Sequence, residues 1–180
     1  MHPFRADLHC HSTCSDGTLT PTELIHLAVK LNLKALSITD HDTIGAYKEA
    51  LEEAKKVQLP LISGVEFSTT YKKTNVHVLA YSFSLDSVEI QKLCKFHCHR
   101  RTLRNQMILD LLKMHQMPID EIELKQSTPA AMIGRPHIAL LMMKKGYVRS
   151  VKEAFHLYLG ENKPCYHPGE KVSTEETIEI

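Results

Sequence analysis

The sequence predicts an α/β protein built on a mostly parallel sheet. Four short apolar segments rich in branched residues have the composition of strands, and amphipathic segments with helical spacing separate the first three of them. The order strand, helix, strand, helix, strand, strand is typical of parallel strands joined by right-handed crossovers. A composition of 43% hydrophobic and 24% charged residues is that of a globular domain and excludes a disordered chain.

Local signals define the elements along the chain. The first predicted helix has a clear start, because Thr20 and Glu23 have capping-box spacing and Pro21 suits the first turn. A long helical segment follows the fourth strand and ends before Pro118, and Ser173 is expected to start the last helix. The predicted strands are 4–9, 35–39, 61–67 and 76–83, and the predicted helices after the first are 43–57, 87–117, 119–124, 136–145, 151–159 and a segment from 173.

Charge and cysteine content narrow the class of protein. The 22 basic and 21 acidic side chains nearly cancel, so we expect no stable complex with DNA, which requires a basic face. No apolar run reaches the roughly 18 residues of a membrane span, and the start MHPFRADLHCH lacks the apolar core of a secretion signal. Five cysteines, an odd number, are expected as reduced thiols. We therefore expect a cytoplasmic protein with no membrane partner.

Side chains of metal-binding types lie at or just after the ends of the first three predicted strands, and the fourth strand contains one more. His9 and His11 are one residue apart at the end of the first strand, so both can point to the same side. In a parallel α/β sheet the carboxyl ends of the strands form one rim, where ligands bind. Imidazole and carboxylate together suit manganese, iron or zinc, and the candidates are more numerous than one ion needs. They are His9, His11, Asp16, His41, Glu66 and His77.

This ligand set indicates a chemistry. Two or three clustered ions lower the pKa of a bound water and hold phosphoryl oxygens, which favours hydrolysis of a phosphate ester by a metal-activated hydroxide. Asp40 and Asp42 flank His41 and are expected to orient the ligands, with helix capping as the alternative. The cysteines and histidines at 94–99 suggest a zinc site, but no second ligand pair follows, so core packing with a basic face is favoured.

Several motifs resemble those of the polymerase and histidinol phosphatase (PHP) family. They are DLHCHSTCSDG at 7–17, TDHDT at 39–43, GVEFS at 64–68, IGRPHIA at 133–139 and AFHLYLGENKPCY at 154–166. The resemblance extends over essentially the whole chain and is strongest to the bacterial branch that hydrolyses nucleoside 3′,5′-bisphosphates and trims short RNA from its 5′ end. It implies a distorted seven-stranded (β/α) barrel with a trinuclear metal site. In such a protein, residues 1–86 would be the N-terminal part of the barrel, 87–163 an all-helical cap insertion and 164–180 a segment that returns to the barrel.

The resemblance also implies residue roles. The six candidates above fall on the family's ligand positions, and manganese is the expected metal, with iron, zinc or magnesium as alternatives. Arg135 and His137 stand at a predicted helix start, where free N–H groups favour phosphate, and an arginine can grip phosphate with two hydrogen bonds. An Arg-X-X-Arg pair on the long helix either reaches a second phosphate or covers the helix surface. The expected catalytic residues are Asp16, His41 and Arg135, and the expected substrate contacts are Arg135, His137, Arg101 and Arg104.

The family pattern has two further ligand motifs, an Ala-His-Pro and an Asp-X-His strand end. The sequence reaches Ile180 before either of them, and it has four predicted strands where the family barrel has seven. A C-terminally truncated sequence is the simplest expectation, and a short protein completed by a dimer partner is the other. The expected substrate is a nucleotide or the 5′ end of a short RNA. The alternatives are a histidinol-phosphate phosphatase, a DNA polymerase-associated exonuclease and an inactive metal-binding module.

Overall fold

The computed structural model describes residues 5–128 and 132–180, and its elements follow the predicted order. The α/β class is confirmed. The strand predicted over 4–9 includes Phe4, which lies outside the described residues. The strands are β1 (Ala6–Cys10), β2 (Ala35–Ile38), β3 (Gly64–Tyr71) and β4 (Thr74–Tyr81). The helices are α1 (Pro21–Lys30), α2 (Tyr47–Lys56), α3 (Val88–Met114), α4 (Glu121–Ser127), α5 (Arg135–Lys144), α6 (Val151–Ala154) and α7 (Thr174–Ile178).

The strands pair in parallel at first and then antiparallel. β1 and β2 are parallel, and single parallel bridges at Leu36–Leu61 and His41–Glu66 connect the β2 side to the β3 side. β3 and β4 form an antiparallel hairpin around Lys72 and Lys73, whose φ angles of 46° and 70° suit a tight two-residue turn. Over residues 5–128 and 132–180 the strands do not close into a barrel.

The chain divides into two compact units. The first contains the residues up to His97 together with Lys171–Ile180, and the second contains Cys98–Glu170. α3 begins in the first unit and continues into the second. The domain boundaries predicted at 86/87 and 163/164 stay a prediction.

The first unit is built around two small apolar cores. α1 and α2 pack on β2, all four residues of which are buried, and the hydroxyl of buried Tyr47 lies 2.8 and 2.9 Å from two backbone carbonyl oxygens that it can donate to. The second core joins β3 to the first turns of α3 through Phe67 and Leu93. The Thr70 N–H donates to the Val172 carbonyl at 2.8 Å, which holds the segment before α7 against β3.

Two helix starts in this unit confirm the sequence signals. At α1, the Thr20 hydroxyl accepts from the Glu23 N–H at 3.2 Å and the Glu23 carboxylate accepts from the Thr20 N–H at 2.8 Å. Ser173 caps α7 in the same reciprocal way with Glu176.

The second unit is helical among its described residues, and its core includes Ile108, Leu112, Ile138 and Met142. The prediction of one α-helix over 151–159 is wrong in its second half, because Phe155–Leu159 is a π-helical turn in which the Gly160 N–H donates to the Phe155 carbonyl at 2.9 Å. In the described parts of the chain, no helix combines the length and the apolar character that a membrane span needs.

Candidate metal centre

His11 and Asp16 lie in a loop that folds back on itself after β1. The Gly17 N–H donates to the Ser12 carbonyl at 2.9 Å. A Cβ atom on Gly17 would lie 2.0 Å from the His11 carbonyl oxygen, so no residue with a side chain fits there. The loop is therefore a tight turn that brings the backbone near Asp16 back to the backbone at His11.

A buried carboxylate is hydrogen-bonded to this loop. Asp40 is 0% exposed and accepts three hydrogen bonds, from the Ser12 N–H at 2.7 Å, the Ser12 hydroxyl at 2.5 Å and the Ser15 hydroxyl at 2.6 Å. Ser12 follows His11, and Ser15 precedes Asp16. These bonds tie the loop to Asp40, and its role in orienting the ligands stays a prediction.

Backbone pairing places His41 opposite Glu66. The Glu66 N–H donates to the Asp40 carbonyl at 3.2 Å, and the Asp42 N–H donates to the Glu66 carbonyl at 2.9 Å. These two bonds enclose the parallel bridge between His41 and Glu66. The pair is thus set by the backbone and not by the imidazole and carboxylate alone.

Four histidines converge on the carboxylate of Glu66. Its Oε2 lies 2.9 Å from His9 Nε2, 3.1 Å from His11 Nε2 and 3.7 Å from His41 Nδ1. Its Oε1 lies 2.6 Å from His77 Nδ1. The side chain of Glu66 is 5% exposed, whereas His9 and His77 are 49% and 48% exposed, so the cluster has a buried carboxylate and an open outer side.

Asp16 completes the cluster beside His11 and His41. Its carboxylate oxygens lie 3.6 Å from His11 Nδ1 and 3.8 Å from His41 Nε2. The structure thus brings all six predicted ligands together. Three groups of possible ligands result, with all ligand atoms in each group within 4.8 Å of one another: His9, His11 and Glu66; His11, Asp16 and His41; His41, Glu66 and His77.

The electrostatics of the cluster favour a charged carboxylate. Burial raises the pKa of Glu66, but hydrogen bonds with His11 and His77 and the nearby His41 outweigh it and hold the pKa well below its ordinary value. The hydrogen bond to Glu66 in turn raises the pKa of His11. Glu66 therefore stays anionic at neutral pH.

The donor set fits divalent metal ions. Ligand atoms about 2.0–2.2 Å from one ion stand roughly 3–3.5 Å apart, which is close to the spacing around Glu66. Imidazole with carboxylate is also the ligand chemistry of manganese, iron and zinc sites.

The predicted substrate contacts all lie in the second unit. Arg135 is the first residue of α5, its guanidinium donates to the Leu159 carbonyl at 3.3 Å, and it lies over the rings of Phe155 and Tyr166 at 5.9 and 5.2 Å. Burial lowers the pKa of Arg135 from its ordinary value, and the charge of Arg101 lowers it further.

The other three predicted contacts lie beside this helix start or on α3. His137 Nδ1 accepts from the Gly134 N–H at 2.9 Å, so the proton of its neutral ring is on Nε2. A guanidinium nitrogen of Arg101 lies 3.5 Å from where a Cβ on Gly134 would be. Arg104 donates to the Asn105 side chain at 2.9 Å.

Sequence reasoning missed His97 as a neighbour of the site. It assigned the 94–99 segment to core packing, and His97 is indeed fully buried, but it also lies 3.1 Å from the Asp42 carboxylate. The signal was available, since His97 continues the apolar spacing of Ile90 and Leu93, and an imidazole at such a position needs a buried polar partner. Among the described residues, no candidate metal group includes the 94–99 segment.

Comparisons with known proteins find a matching family model and several similar chains. The family model for the PHP domain matches residues 7–172. The 5′-3′ exoribonuclease Rnm of Escherichia coli is 32% identical over 176 residues, which cover 97% of this chain and 60% of that protein. The 3′,5′-nucleoside bisphosphate phosphatase of Chromobacterium violaceum is 30% identical over 173 residues, covering 96% of this chain and 61% of that protein.

A solved structure has the same fold. It comes from a Bifidobacterium adolescentis protein regarded as a metal-dependent phosphoesterase, and it matches with a TM-score of 0.85 and 30% identity over 98% of this chain and 63% of that one. The chain therefore spans about three fifths of the length of the relatives it matches.

Proposed function

This chain belongs to the PHP domain family, and on that premise we propose that it serves the metal-dependent hydrolysis of phosphate esters. The observation that carries the proposal is the overlap of the three ligand groups: two of them share the buried Glu66 carboxylate, and the third shares His11 and His41 with those two. A carboxylate with two oxygens can bridge neighbouring ions, and clustered ions are the arrangement that holds the oxygens of a phosphoryl group.

Two or three ions, with manganese first, are the proposed cofactors. When bound, such ions lower the pKa of a water ligand and neutralise charge on the phosphoryl group. Glu66 contributes the negative charge at the centre of the cluster, and His9 and His77 contact its two carboxylate oxygens, one each. Asp16 and His41 hold the remaining side and are the proposed catalytic pair among the ligands.

The proposed substrate is a nucleoside 3′,5′-bisphosphate or the 5′ end of a short RNA. The names of the two curated relatives support a nucleotide substrate. In this chain, the guanidinium of Arg135 and the Nε2–H of His137 are donors suited to a phosphate. Arg101 adds positive charge beside them, and we propose Arg104 as a weaker contact because its guanidinium already donates to Asn105.

The fold and location complete the proposal. We propose that β1–β4 are the first part of a distorted seven-stranded barrel, that 87–163 is a helical insertion and that 164–180 leads back to the barrel. The five free cysteines support a reducing, cytoplasmic location.

The test is phosphate release from adenosine 3′,5′-bisphosphate by the purified chain with Mn²⁺, compared with histidinol phosphate. We expect release from the bisphosphate and none after His41→Ala. Lys48→Ala, an exposed change on α2, is the matched control and should leave the rate unchanged. Undiminished turnover by His41→Ala refutes the mechanism, preference for histidinol phosphate refutes the substrate, and a chain that binds ions without releasing phosphate is a binding module.

A further inference from the structure

α3 carries a buried histidine that is not one of the six candidate ligands. His97 is 0% exposed, and its ring stacks on Phe67 with the centroids 5.6 Å apart and the planes 24° from parallel. Its Nδ1 lies 3.1 Å from Oδ1 of Asp42, which is also 0% exposed. Burying an imidazole and a carboxylate is unfavourable unless each has hydrogen-bond partners, so this pair calls for a reason beyond packing.

Asp42 is the junction to which His97 is tied. Its Oδ1 also accepts from the Ser68 N–H at 2.7 Å, and its own N–H donates to the Glu66 carbonyl at 2.9 Å. Its φ of +58° is in the left-handed region, which a residue other than glycine adopts only with local support. Asp42 follows His41 directly and is bonded to the backbone of Glu66. Its conformation therefore affects how His41 is placed relative to Glu66.

We propose that His97 is a positioning residue of the metal centre, which holds Asp42 in the conformation that sets His41 opposite Glu66. The proposal rests on the proposed function, because it concerns the same metal centre. His97 donates from Nδ1 to the Asp42 carboxylate, and the Ser68 N–H donates to the same oxygen from β3.

Two contacts of His97 act on the same short stretch of β3. The ring stacks on Phe67, the residue after Glu66, while the bond to Asp42 acts on Ser68, the residue after that. Without the imidazole, the Asp42 carboxylate loses a donor in a place that is closed to solvent. It then turns toward another donor, and the left-handed turn after His41 loosens.

Metal sites are sensitive to such a change, because groups that orient the ligands typically affect metal affinity by about 10–100-fold. A purely structural histidine would affect the stability of the fold but would leave the relative positions of His41 and Glu66 unchanged. Metal affinity and fold stability therefore separate the two roles.

The experiment compares three variants of the full chain. His97→Leu fills the space but cannot donate, and His97→Asn places an N–H₂ donor near the position of Nδ1. Leu93→Ala, one turn earlier on α3 and buried in the same core, is the matched control for lost stability. For each, the Mn²⁺ dissociation constant is measured by electron paramagnetic resonance of free Mn²⁺, and the exchange of the Ser68 amide is measured in metal-free protein.

We expect His97→Leu to weaken Mn²⁺ binding by about 10–100-fold and to speed exchange of the Ser68 amide. His97→Asn should restore most of both, and Leu93→Ala should change neither beyond its effect on global stability. Wild-type affinity in His97→Leu, or an equal loss in Leu93→Ala, overturns the proposal. If the wild-type chain binds no Mn²⁺, the proposed function fails, and unchanged Ser68 exchange in metal-free His97→Leu then refutes the positioning role as well.

Discussion

The loop that carries His11 and Asp16 depends on one buried carboxylate, so Asp40→Ala is expected to destabilise the metal-free protein strongly. The substitution removes the acceptor of three hydrogen bonds at 2.5, 2.6 and 2.7 Å. The two serines that donate them are 0% and 1% exposed, so water cannot readily replace the lost acceptor. A buried donor left unpaired costs about 1–3 kcal/mol, and hydroxyl groups can rotate to recover part of this. We therefore expect a loss of about 3–5 kcal/mol in the free energy of unfolding.

Urea unfolding followed by circular dichroism, in the presence of a chelator, measures this loss. Asp40→Asn keeps one acceptor oxygen and the side-chain volume, so it should lose only about 1–2 kcal/mol. Asp86→Ala, at an exposed position before α3, is the control and should stay within about 0.5 kcal/mol of the wild type. An unfolding free energy for Asp40→Ala within about 1 kcal/mol of the wild type would show that the carboxylate does not hold the loop.

Three further predictions test a buried hydroxyl, a buried thiol and a candidate ligand. Tyr47→Phe removes the hydroxyl that bonds to two buried carbonyls, so calorimetry should show a lower Tm and a loss of about 1–2 kcal/mol; an unchanged Tm contradicts that contact. Burial raises the pKa of Cys94 from 9.0 to about 12, so at pH 8 its reactive thiolate is about a thousandfold scarcer than that of a cysteine with the ordinary pKa. This difference in thiolate fraction becomes smaller as the pH rises. Peptide mass spectrometry should find iodoacetamide on exposed Cys98 well before Cys94, and equal labelling would refute the burial. Glu66→Gln removes the central negative charge, and isothermal titration should show Mn²⁺ affinity reduced by at least about tenfold, whereas wild-type affinity would exclude Glu66 as a ligand.

The sequence was sufficient for features whose causes are local. The start of α1 was predictable because Thr20 and Glu23 cap the same turn, and four residues suffice to recognise it. The candidate ligands do meet, but the strand-end argument explains only part of the set. His9 lies near the end of β1 as predicted, whereas Glu66 is the third residue of β3 and not at its end, and the backbone bridge to His41 brings it to the cluster.

Features that depend on distant contacts were not predictable. The π turn at Phe155–Leu159 has the same side-chain pattern as an α-helix, and its carbonyls are used by Arg135 and Cys165, which lie outside it. The pairing of His97 with Asp42 joins positions 55 residues apart, and no local spacing connects them. The start of β3 at Gly64 also escaped the apolar pattern, which begins at Leu61, since hairpin pairing with β4 and not hydrophobicity sets that boundary.

The most direct test of the metal centre is the number of ions bound per chain. The purified protein is equilibrated with Mn²⁺, desalted and analysed by plasma mass spectrometry. The three overlapping ligand groups predict two or three Mn²⁺ ions per chain. One ion or none would contradict a clustered metal centre formed by these six side chains.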